Sequence, residues 1–169
     1  IFFFEQGNFF LTEKEGILLP NAGIDESNAE EGSVILFPLH AQKYAEELRQ
    51  KLCSFFGIQK LGILIADSSL VPRRCGISGV CLACAGIKGL SDQRGKKDLF
   101  GRELVVSQIA VADNLASIAQ NFFGQADERV PFVLFEEVEN VVFTDSLQDS
   151  SNLCLSEKED IFPSFGKRD

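Results

Sequence analysis

Acidic side chains occur at two places where an apolar run gives way to a polar segment. Asp25 lies in the run Asn21-Ala22-Gly23-Ile24-Asp25-Glu26-Ser27-Asn28, and Asp67 with Ser68 follows the apolar run Gly62-Ile63-Leu64-Ile65-Ala66. Mg²⁺ and Mn²⁺ prefer hard oxygen ligands, which sheets often present at strand ends. Both aspartates are therefore candidate metal ligands. The alternatives are a plain turn at 21–28 and a helix cap or turn start at Asp67.

Two further segments offer polar groups suited to substrates. Residues 94–104 combine four cations with two glycines in an otherwise acidic chain. Because Lys and Arg donors orient phosphate and carboxylate groups, Lys97 and Arg102 are candidate substrate-orienting residues on the basis of charge. The alternative is a solvated surface loop. Farther along, Gly124 is expected to cap a helix, and the side-chain oxygen of Gln125 could meet a metal or a nucleotide.

The cysteines and the single histidine suggest no separate chemistry. Cys81-x-x-Cys84 has the spacing of a zinc or redox pair, but no second pair accompanies it. We expect buried free thiols on opposite sides of a strand, since residues i and i+3 of a strand face opposite sides. His40 is expected at the surface of a helix start. One histidine without matching partners supports no catalytic triad, and no Walker A loop or dinucleotide glycine pattern is present.

Hydrophobic periodicity predicts an α+β fold with mixed sheets and two main amphipathic helices. The helices are predicted over 40–56 and 103–123, ended by Gly57 and Gly124, and both cysteines of the pair fall in a strand. A loop is expected over 72–79, and a polar C-terminal tail over 145–169 follows a domain over 1–144. The predicted strands cover residues 1–5, 9–12, 17–19, 34–37, 62–66, 80–85, 131–135 and 141–143.

Composition restricts the possible function classes. The chain has 169 residues, 45% hydrophobic and 24% charged, which suits one globular domain. Its 25 acidic and 16 basic residues give a net charge of −9, which argues against a generic nucleic-acid binder. No apolar run reaches the ~18 residues of a membrane span, and five cysteines favour a reducing cytoplasm. The chain lacks methionine, also at its start, so we treat it as a fragment.

Taken in order, these segments resemble the coenzyme F-420 γ-glutamyl ligase family. The resemblance runs from about residue 9 to 136, with a weaker echo at Glu159-Asp160-Ile161-Phe162. Several separate motifs in the family's order make it specific. They are the run 21–28, Ile65-Ala66-Asp67-Ser68, the run 95–104, Ala110-Val111-Ala112-Asp113-Asn114-Leu115-Ala116, Gly124-Gln125-Ala126 and Val130-Pro131-Phe132-Val133-Leu134.

The resemblance implies a cytoplasmic, homodimeric ligase with the fold of that family. Such an enzyme joins L-glutamate through a γ-glutamyl amide bond to a coenzyme acceptor, F-420-0-like or folate, by way of an acyl phosphate. It uses GTP, or ATP, and two Mg²⁺ or Mn²⁺ ions. By the same resemblance, Asp25 and Asp67 hold the first ion, and Ser68 and Gln125 hold the second. The implied nucleotide contacts are Asn28 and the run Phe123-Gly124-Gln125-Ala126-Asp127-Glu128-Arg129-Val130.

The chain also departs from the family pattern beside the second aspartate. The family usually has Thr where this chain has Ser68, and then reads Phe-Gly-Arg-Pro-Trp-Arg-x-Gly-Gln. Here the corresponding residues are Ser69-Leu70-Val71-Pro72-Arg73-Arg74-Cys75-Gly76-Ile77. This altered loop leaves the acceptor open. The family's N-terminal nucleotide-contacting segment is expected to lie outside the chain. The alternatives are a non-catalytic family member that binds a coenzyme or partner, and a flavin- or other coenzyme-binding module.

Overall fold

A computed structural model describes residues 5–6, 9–147, 152–156 and 158–160 of the chain. The predicted α+β class with two main helices is confirmed, and the strands paired in this part are antiparallel rather than mixed. The strands are β1 (Glu5–Gln6), β2 (Phe9–Lys14), β3 (Ile17–Pro20), β4 (Ile63–Leu70), β5 (Ile77–Ala85), β6 (Leu90–Asp92) and β7 (Gln108–Ala110); the helices are α1 (Ala41–Phe56) and α2 (Val111–Phe123), and a 3₁₀ turn covers Asn21–Gly23.

The β4–β5 hairpin forms the centre of the molecule, with one helix on each face. Small residues bring the first helix close: Ala83 and Ala85 of β5 pack against Ala41 and Ala45 of α1. On the other face a larger cluster joins β5 to α2, comprising Cys81, Cys84, Ile87, Val111, Ala112, Leu115 and Ala116. Apolar surface buried on both sides of one hairpin therefore holds the two helices in place.

A β-bulge in β5 decides where the cysteines point. Ile65 pairs with Ala83 and Ala66 pairs with Cys81, so Leu82 is an extra residue in β5. The extra residue reverses the alternation of side chains. Cys81 and Cys84 therefore share the α2 face, and the prediction that they face opposite sides was wrong. The prediction that both are buried free thiols is confirmed.

The second helix begins later than its hydrophobic period predicts. Residues 103–110 instead pair with the chain before them: Glu103 forms a bridge with Lys97, and β7 pairs with β6. Backbone pairing at a distance overrides the local helical pattern here. A helix that began at residue 103 would place Val105 on its apolar stripe, but Val105 is 76% exposed. In α1 likewise, the buried residues are Ala41 and Ala45, whereas Tyr44 and Phe55, which the helical period would also bury, are exposed.

Several predicted strands and loops also differ from the structure. Residues 34–37 contribute a single bridge at Ile35 and a buried Phe37 rather than a strand, and 131–135 is not a strand. The predicted loop over 72–79 is shorter, because β5 already begins at Ile77. Residues 141–143 form one isolated bridge, between Phe143 and Ile87. The strand prediction for residues 1–4 lies outside the described residues.

Described residues of the segment predicted as a polar tail contact the domain. The side chain of Arg49 in α1 donates a 2.7 Å hydrogen bond to Asp145, and Leu153 packs against the cluster between β5 and α2. The rest of the predicted tail falls largely outside the described residues. In the part that the structure describes, none of the helices is long and apolar enough to cross a membrane.

Candidate functional site

Asp67 lies within β4, not at the end of a strand as its sequence context predicts. It pairs with Val80, and β4 continues to Leu70 because β5 supplies partners as far as Ile77. The carboxylate is half-buried, and its Oδ1 accepts a 2.7 Å hydrogen bond from the backbone N–H of Ser68. A strand paired on both sides of this position therefore holds the acidic group within the central hairpin.

Asp25 is held by backbone pairing just after the 3₁₀ turn. Its N–H donates to Ile35 O at 3.0 Å, and the N–H of Ile35 donates to Asp25 O at 2.7 Å. The carboxylate accepts hydrogen bonds from both the backbone N–H, at 2.8 Å, and the hydroxyl of Ser27. The predicted turn chemistry is thus present, and it orients an exposed carboxylate.

The two carboxylates lie close enough for their charges to interact. Burial raises the pKa of Asp67 above its ordinary value, the Ser68 N–H opposes that rise, and the negative charge of Asp25 adds to it. A half-buried and an exposed carboxylate that repel each other supply oxygen ligands of the type that a hard divalent cation prefers. Within the described residues, no group of three or more His, Cys, Asp or Glu side chains could hold a metal ion.

The residues predicted for a second ion are placed differently. Leu64 and Ala66 pack against the α2 face while Ile63 and Ile65 pack against the α1 face. Strand alternation therefore puts Ser68 on the side of α2, opposite to Asp67. Gln125 follows α2 and is exposed, with its amide donating to Gly124 O at 2.9 Å.

The predicted nucleotide-contacting run forms the end of α2 and the loop behind it. Gly124 has a φ of 75° and a ψ of −166°, a backbone conformation that is essentially restricted to glycine. The Glu128 carboxylate accepts a 2.7 Å hydrogen bond from Ala126 N–H, and backbone N–H groups lower its pKa. Arg129 adopts a left-handed φ of 57°. Asn28, also left-handed, lies exposed in the separate Asp25 turn.

Lys97 and Arg102 lie on an extended hairpin that we call the arm, residues 93–107 between β6 and β7. Its backbone is paired: Gly95 N–H donates to Leu104 O at 2.9 Å, and Asp98 N–H donates to Arg102 O at 2.8 Å. The Asp98 carboxylate closes the tip by accepting from the N–H groups of Phe100 and Arg102. Both cations are exposed. The surface loop considered from sequence is thus an ordered hairpin.

The altered segment after Ser69 forms the connection of the central hairpin. Val71 O accepts a 3.1 Å hydrogen bond from Arg74 N–H, and Arg73 has a left-handed φ of 61°. The substituted positions Val71 and Arg73 lie at its exposed tip, while Ile77 begins β5. The change of sequence therefore modifies a surface turn that follows directly on the strand carrying Asp67.

Sequence reasoning missed the groups that hold the Asp25 turn in place. The Thr12 hydroxyl accepts a 2.8 Å hydrogen bond from Ala22 N–H, and Asn21 Oδ1 accepts a 3.0 Å hydrogen bond from Phe10 N–H. No motif marks Thr12, because its partner is a backbone group brought near by the β2–β3 pairing. Asn21 does carry a signal, since asparagine tolerates left-handed backbone.

Comparison with known proteins places this chain in a family. The family model described as F420-0:Gamma-glutamyl ligase matches residues 3–137. The chain is 43% identical over 129 residues to the coenzyme F420:L-glutamate ligase of Methanopyrus kandleri, covering 76% of this chain and 51% of the relative. It is 39% identical over 156 residues to that of Methanocaldococcus jannaschii, and 36% identical over 155 residues to that of Archaeoglobus fulgidus.

Those two alignments cover 92% of this chain and 61% and 60% of the respective relatives. The chain thus spans between half and about three fifths of the length of the curated relatives it matches. The family model covers far more than half of the chain, and the order of the aspartates, the arm and the loop after α2 follows the motifs that carry the resemblance. The chain belongs to the F420-0:γ-glutamyl ligase family.

Proposed function

We propose that this protein acts in a γ-glutamyl ligase, which adds L-glutamate to the terminal carboxylate of an F-420-0-like coenzyme. The observation that carries the proposal is that the negative charge of Asp25 helps to raise the pKa of Asp67, although the two acidic groups come from distant parts of the chain. Two carboxylates that repel each other, one half-buried at Asp67 and one exposed at Asp25, destabilise an apoprotein, and such pairs are common where a protein binds cations. In a chain of this family, that feature supports ligase chemistry over a structural role.

The reaction needs an activated carboxyl group because a carboxylate is a poor electrophile. Transfer of the γ-phosphoryl group of GTP or ATP to the acceptor carboxylate gives an acyl phosphate. The amine of glutamate then attacks its carbonyl carbon, so that a C–N bond forms, the C–O bond to phosphate breaks, and the amine gives up a proton. Nucleoside diphosphate and phosphate are the other products.

The chain's own residues would bind and orient the reactants. Asp25 and Asp67 would hold one Mg²⁺ or Mn²⁺ ion, and Ser68 with Gln125 the other. When bound, such ions neutralise negative charge on the transferring phosphoryl group. Lys97 and Arg102, exposed on the arm, would orient substrate carboxylate or phosphate through charge-assisted hydrogen bonds.

Nucleotide binding is proposed for the loop after α2 together with Asn28. The loop runs through Phe123-Gly124-Gln125-Ala126-Asp127-Glu128-Arg129-Val130 and is exposed over most of its length. The backbone turn at Gly124 and the left-handed Arg129 give it a defined shape, and the Glu128 carboxylate rigidifies it by accepting from Ala126 N–H. A preformed loop loses less conformational entropy when it binds a ligand.

A homodimer is also proposed, and the tip of the arm supports it. Leu99 is 99% exposed and Phe100 is 87% exposed, and Val105 and Val106, nearer the base of the arm, are exposed as well. Adjacent exposed apolar side chains on an ordered hairpin mark an interaction surface. A second copy of the chain would cover this tip and bring the arm's cations to a site shared between two copies.

The decisive experiment is a ligase assay with the full-length protein. GTP or ATP, Mg²⁺ or Mn²⁺ and L-glutamate are supplied with F-420-0 or a folate as acceptor, and phosphate release and acceptor mass are followed. We expect glutamate-dependent phosphate release with an acceptor heavier by one glutamyl residue. Folate is included because the connection at 71–76 differs from the family pattern. The absence of turnover with every acceptor, despite bound nucleotide, would favour a non-catalytic binding protein instead.

A further inference from the structure

A strained turn immediately precedes Asp25. Three consecutive residues have left-handed backbone: Asn21 with φ 51°, Ala22 with φ 58° and Gly23 with φ 69°. Left-handed backbone is disfavoured for alanine, because its Cβ crowds the following carbonyl oxygen. At Gly23 a Cβ would lie 3.0 Å from the Phe37 ring, so the chain also passes close to the core there. Such a conformation persists only where surrounding contacts hold it.

The contacts that hold this turn come from β2. The Thr12 hydroxyl donates to Leu19 O and accepts from Ala22 N–H, both at 2.8 Å. It thus joins the last part of β3 to the middle of the turn. The amide oxygen of Asn21 accepts from Phe10 N–H at 3.0 Å and attaches the start of the turn to the same strand. Thr12 itself is half-buried, so solvent competes only in part for these bonds.

The end of the turn determines where the Asp25 backbone goes. Ile24 N–H donates to Asn21 O at 3.0 Å, and the next residue, Asp25, pairs with Ile35. One residue therefore separates the strained turn from the backbone pair that carries the carboxylate. A shift of Ala22 would displace Asp25 directly, because no flexible segment lies between them.

We propose that Thr12 is a positioning residue for the ligand carboxylate of Asp25, acting by holding the left-handed turn Asn21–Gly23 against β2. The inference rests on the proposed role of Asp25 as a metal ligand. It assigns Thr12 a role without contact to substrate or metal. A group that orients a ligand in this way typically affects metal affinity about 10–100-fold.

The test compares two substitutions at one position. Thr12→Val keeps the side-chain shape and removes the hydroxyl, whereas Thr12→Ser keeps the hydroxyl. Ser117→Ala is the remote control, because it removes a hydroxyl bonded to Gly79 O and Ser78 Oγ on the α2 face. Two quantities are measured on the full-length protein: the hydrogen-exchange rates of the Asp25 and Ile35 amides, and the Mn²⁺ dissociation constant from the spectroscopic signal of free Mn²⁺.

We expect the Asp25 and Ile35 amide hydrogens to exchange about tenfold faster in Thr12→Val than in the wild type. We also expect this variant to bind Mn²⁺ at least about tenfold more weakly. Thr12→Ser and Ser117→Ala should stay near the wild type in both measurements. Wild-type exchange and affinity in Thr12→Val would overturn the inference, as would equal losses in Ser117→Ala. If Thr12→Val does not fold, Thr12→Ala, which also removes the hydroxyl, replaces it with the same expectation.

Failure of the proposed metal site is recognisable separately. If the wild type itself binds no Mn²⁺, the metal part of the proposed function is wrong. The exchange rates then decide the positioning inference alone: faster exchange confined to Thr12→Val supports it, and unchanged exchange overturns it.

Discussion

The negative charge of Asp25 acts on Asp67 across two separate parts of the fold. Asp67 lies in the central hairpin and Asp25 in a turn bridged to Ile35, yet the anion at Asp25 adds to the rise in the pKa of Asp67. No local pattern specifies this approach. It depends on how the β2–β3 hairpin and its turn pack beside β4, and it accounts for the first two predictions.

Asp67→Asn should abolish ligase turnover while leaving the apoprotein folded. Asparagine has nearly the same shape, and its Oδ1 can still accept the bond from Ser68 N–H. The substitution removes a charge from the proposed ion shell, where electrostatic stabilisation is worth several kcal/mol. The measurement is glutamate-dependent phosphate release beside a thermal melt. Asp92→Asn, on β6, is the matched control and should keep turnover; wild-type turnover in Asp67→Asn would remove Asp67 from the mechanism.

The free energy of unfolding should depend on the ionisation of Asp67. Its folded-state pKa is raised, so the folded state holds this proton more tightly than the unfolded chain. Stability from this group is therefore lost as pH rises from its unfolded pKa through its folded one. Urea melts from about pH 3 to pH 7 should show the free energy of unfolding of Asp67→Asn rising relative to that of the wild type over that window.

Asp92 provides a control of opposite sign for the same measurement. The Arg94 side chain lowers the pKa of the Asp92 carboxyl to about 2, so stability from this group is lost as pH falls through that range. The free energy of unfolding of Asp92→Asn should therefore fall relative to that of the wild type as pH rises through the range in which the carboxyl group ionises in the unfolded chain. Parallel curves for the two variants would contradict the assigned charge environments.

Cys75 should react with a thiol reagent before Cys81 and Cys84. Burial raises the pKa of Cys84 to about 11 and raises that of Cys81 further, which keeps both protonated and unreactive at neutral pH. Cys75 is exposed in the hairpin connection. A coloured thiol reagent should label Cys75 rapidly and should reach Cys81 and Cys84 only after denaturation. Rapid labelling of Cys84 in the native protein would contradict the buried cluster.

Gly79→Ala should destabilise the packing of β5 against α2. A Cβ at this position would lie 2.2 Å from Ala116 O, a backbone atom that cannot move alone. Overpacking of this kind costs typically about 1–3 kcal/mol. Gly62→Ala is the matched comparison, because its Cβ would meet the Ile87 side chain at 2.7 Å and a side chain can adjust. Denaturant melts should rank Gly79→Ala as the less stable variant; the reverse order would disprove this account.

Leu99→Ser combined with Phe100→Ser should dissociate the proposed homodimer without destabilising the monomer fold. Both side chains are almost fully exposed at the tip of the arm, so they add little to the core. Light scattering after size exclusion should give twice the chain mass for the wild type and a lower mass for the variant. A monomeric wild type would rule out the dimer, and an unchanged variant would move the interface away from the arm.

The amino-acid sequence by itself determined the local properties of this protein. The alternation and helical period identify the α+β class, the strands β2 to β5 and the first helix, because apolar spacing depends on neighbouring residues alone. Both buried thiols and the glycine after α2 were predicted correctly. The order of the motifs around Asp25, Asp67 and Gly124 also indicated the family, because residue types and their order can be read without the tertiary structure.

The tertiary structure alone decided three other features, all of which depend on partners distant in the chain. Backbone pairing of residues 103–110 with the preceding residues 90–97 removed the first part of the predicted second helix. The extra residue Leu82 turned Cys81 and Cys84 to one face, which no period of two predicts. Strand packing decides the approach of Asp25 to Asp67. It also brings the Thr12 hydroxyl to the turn before Asp25. Both interactions join residues that are distant in the chain, so no local stretch of sequence predicts them.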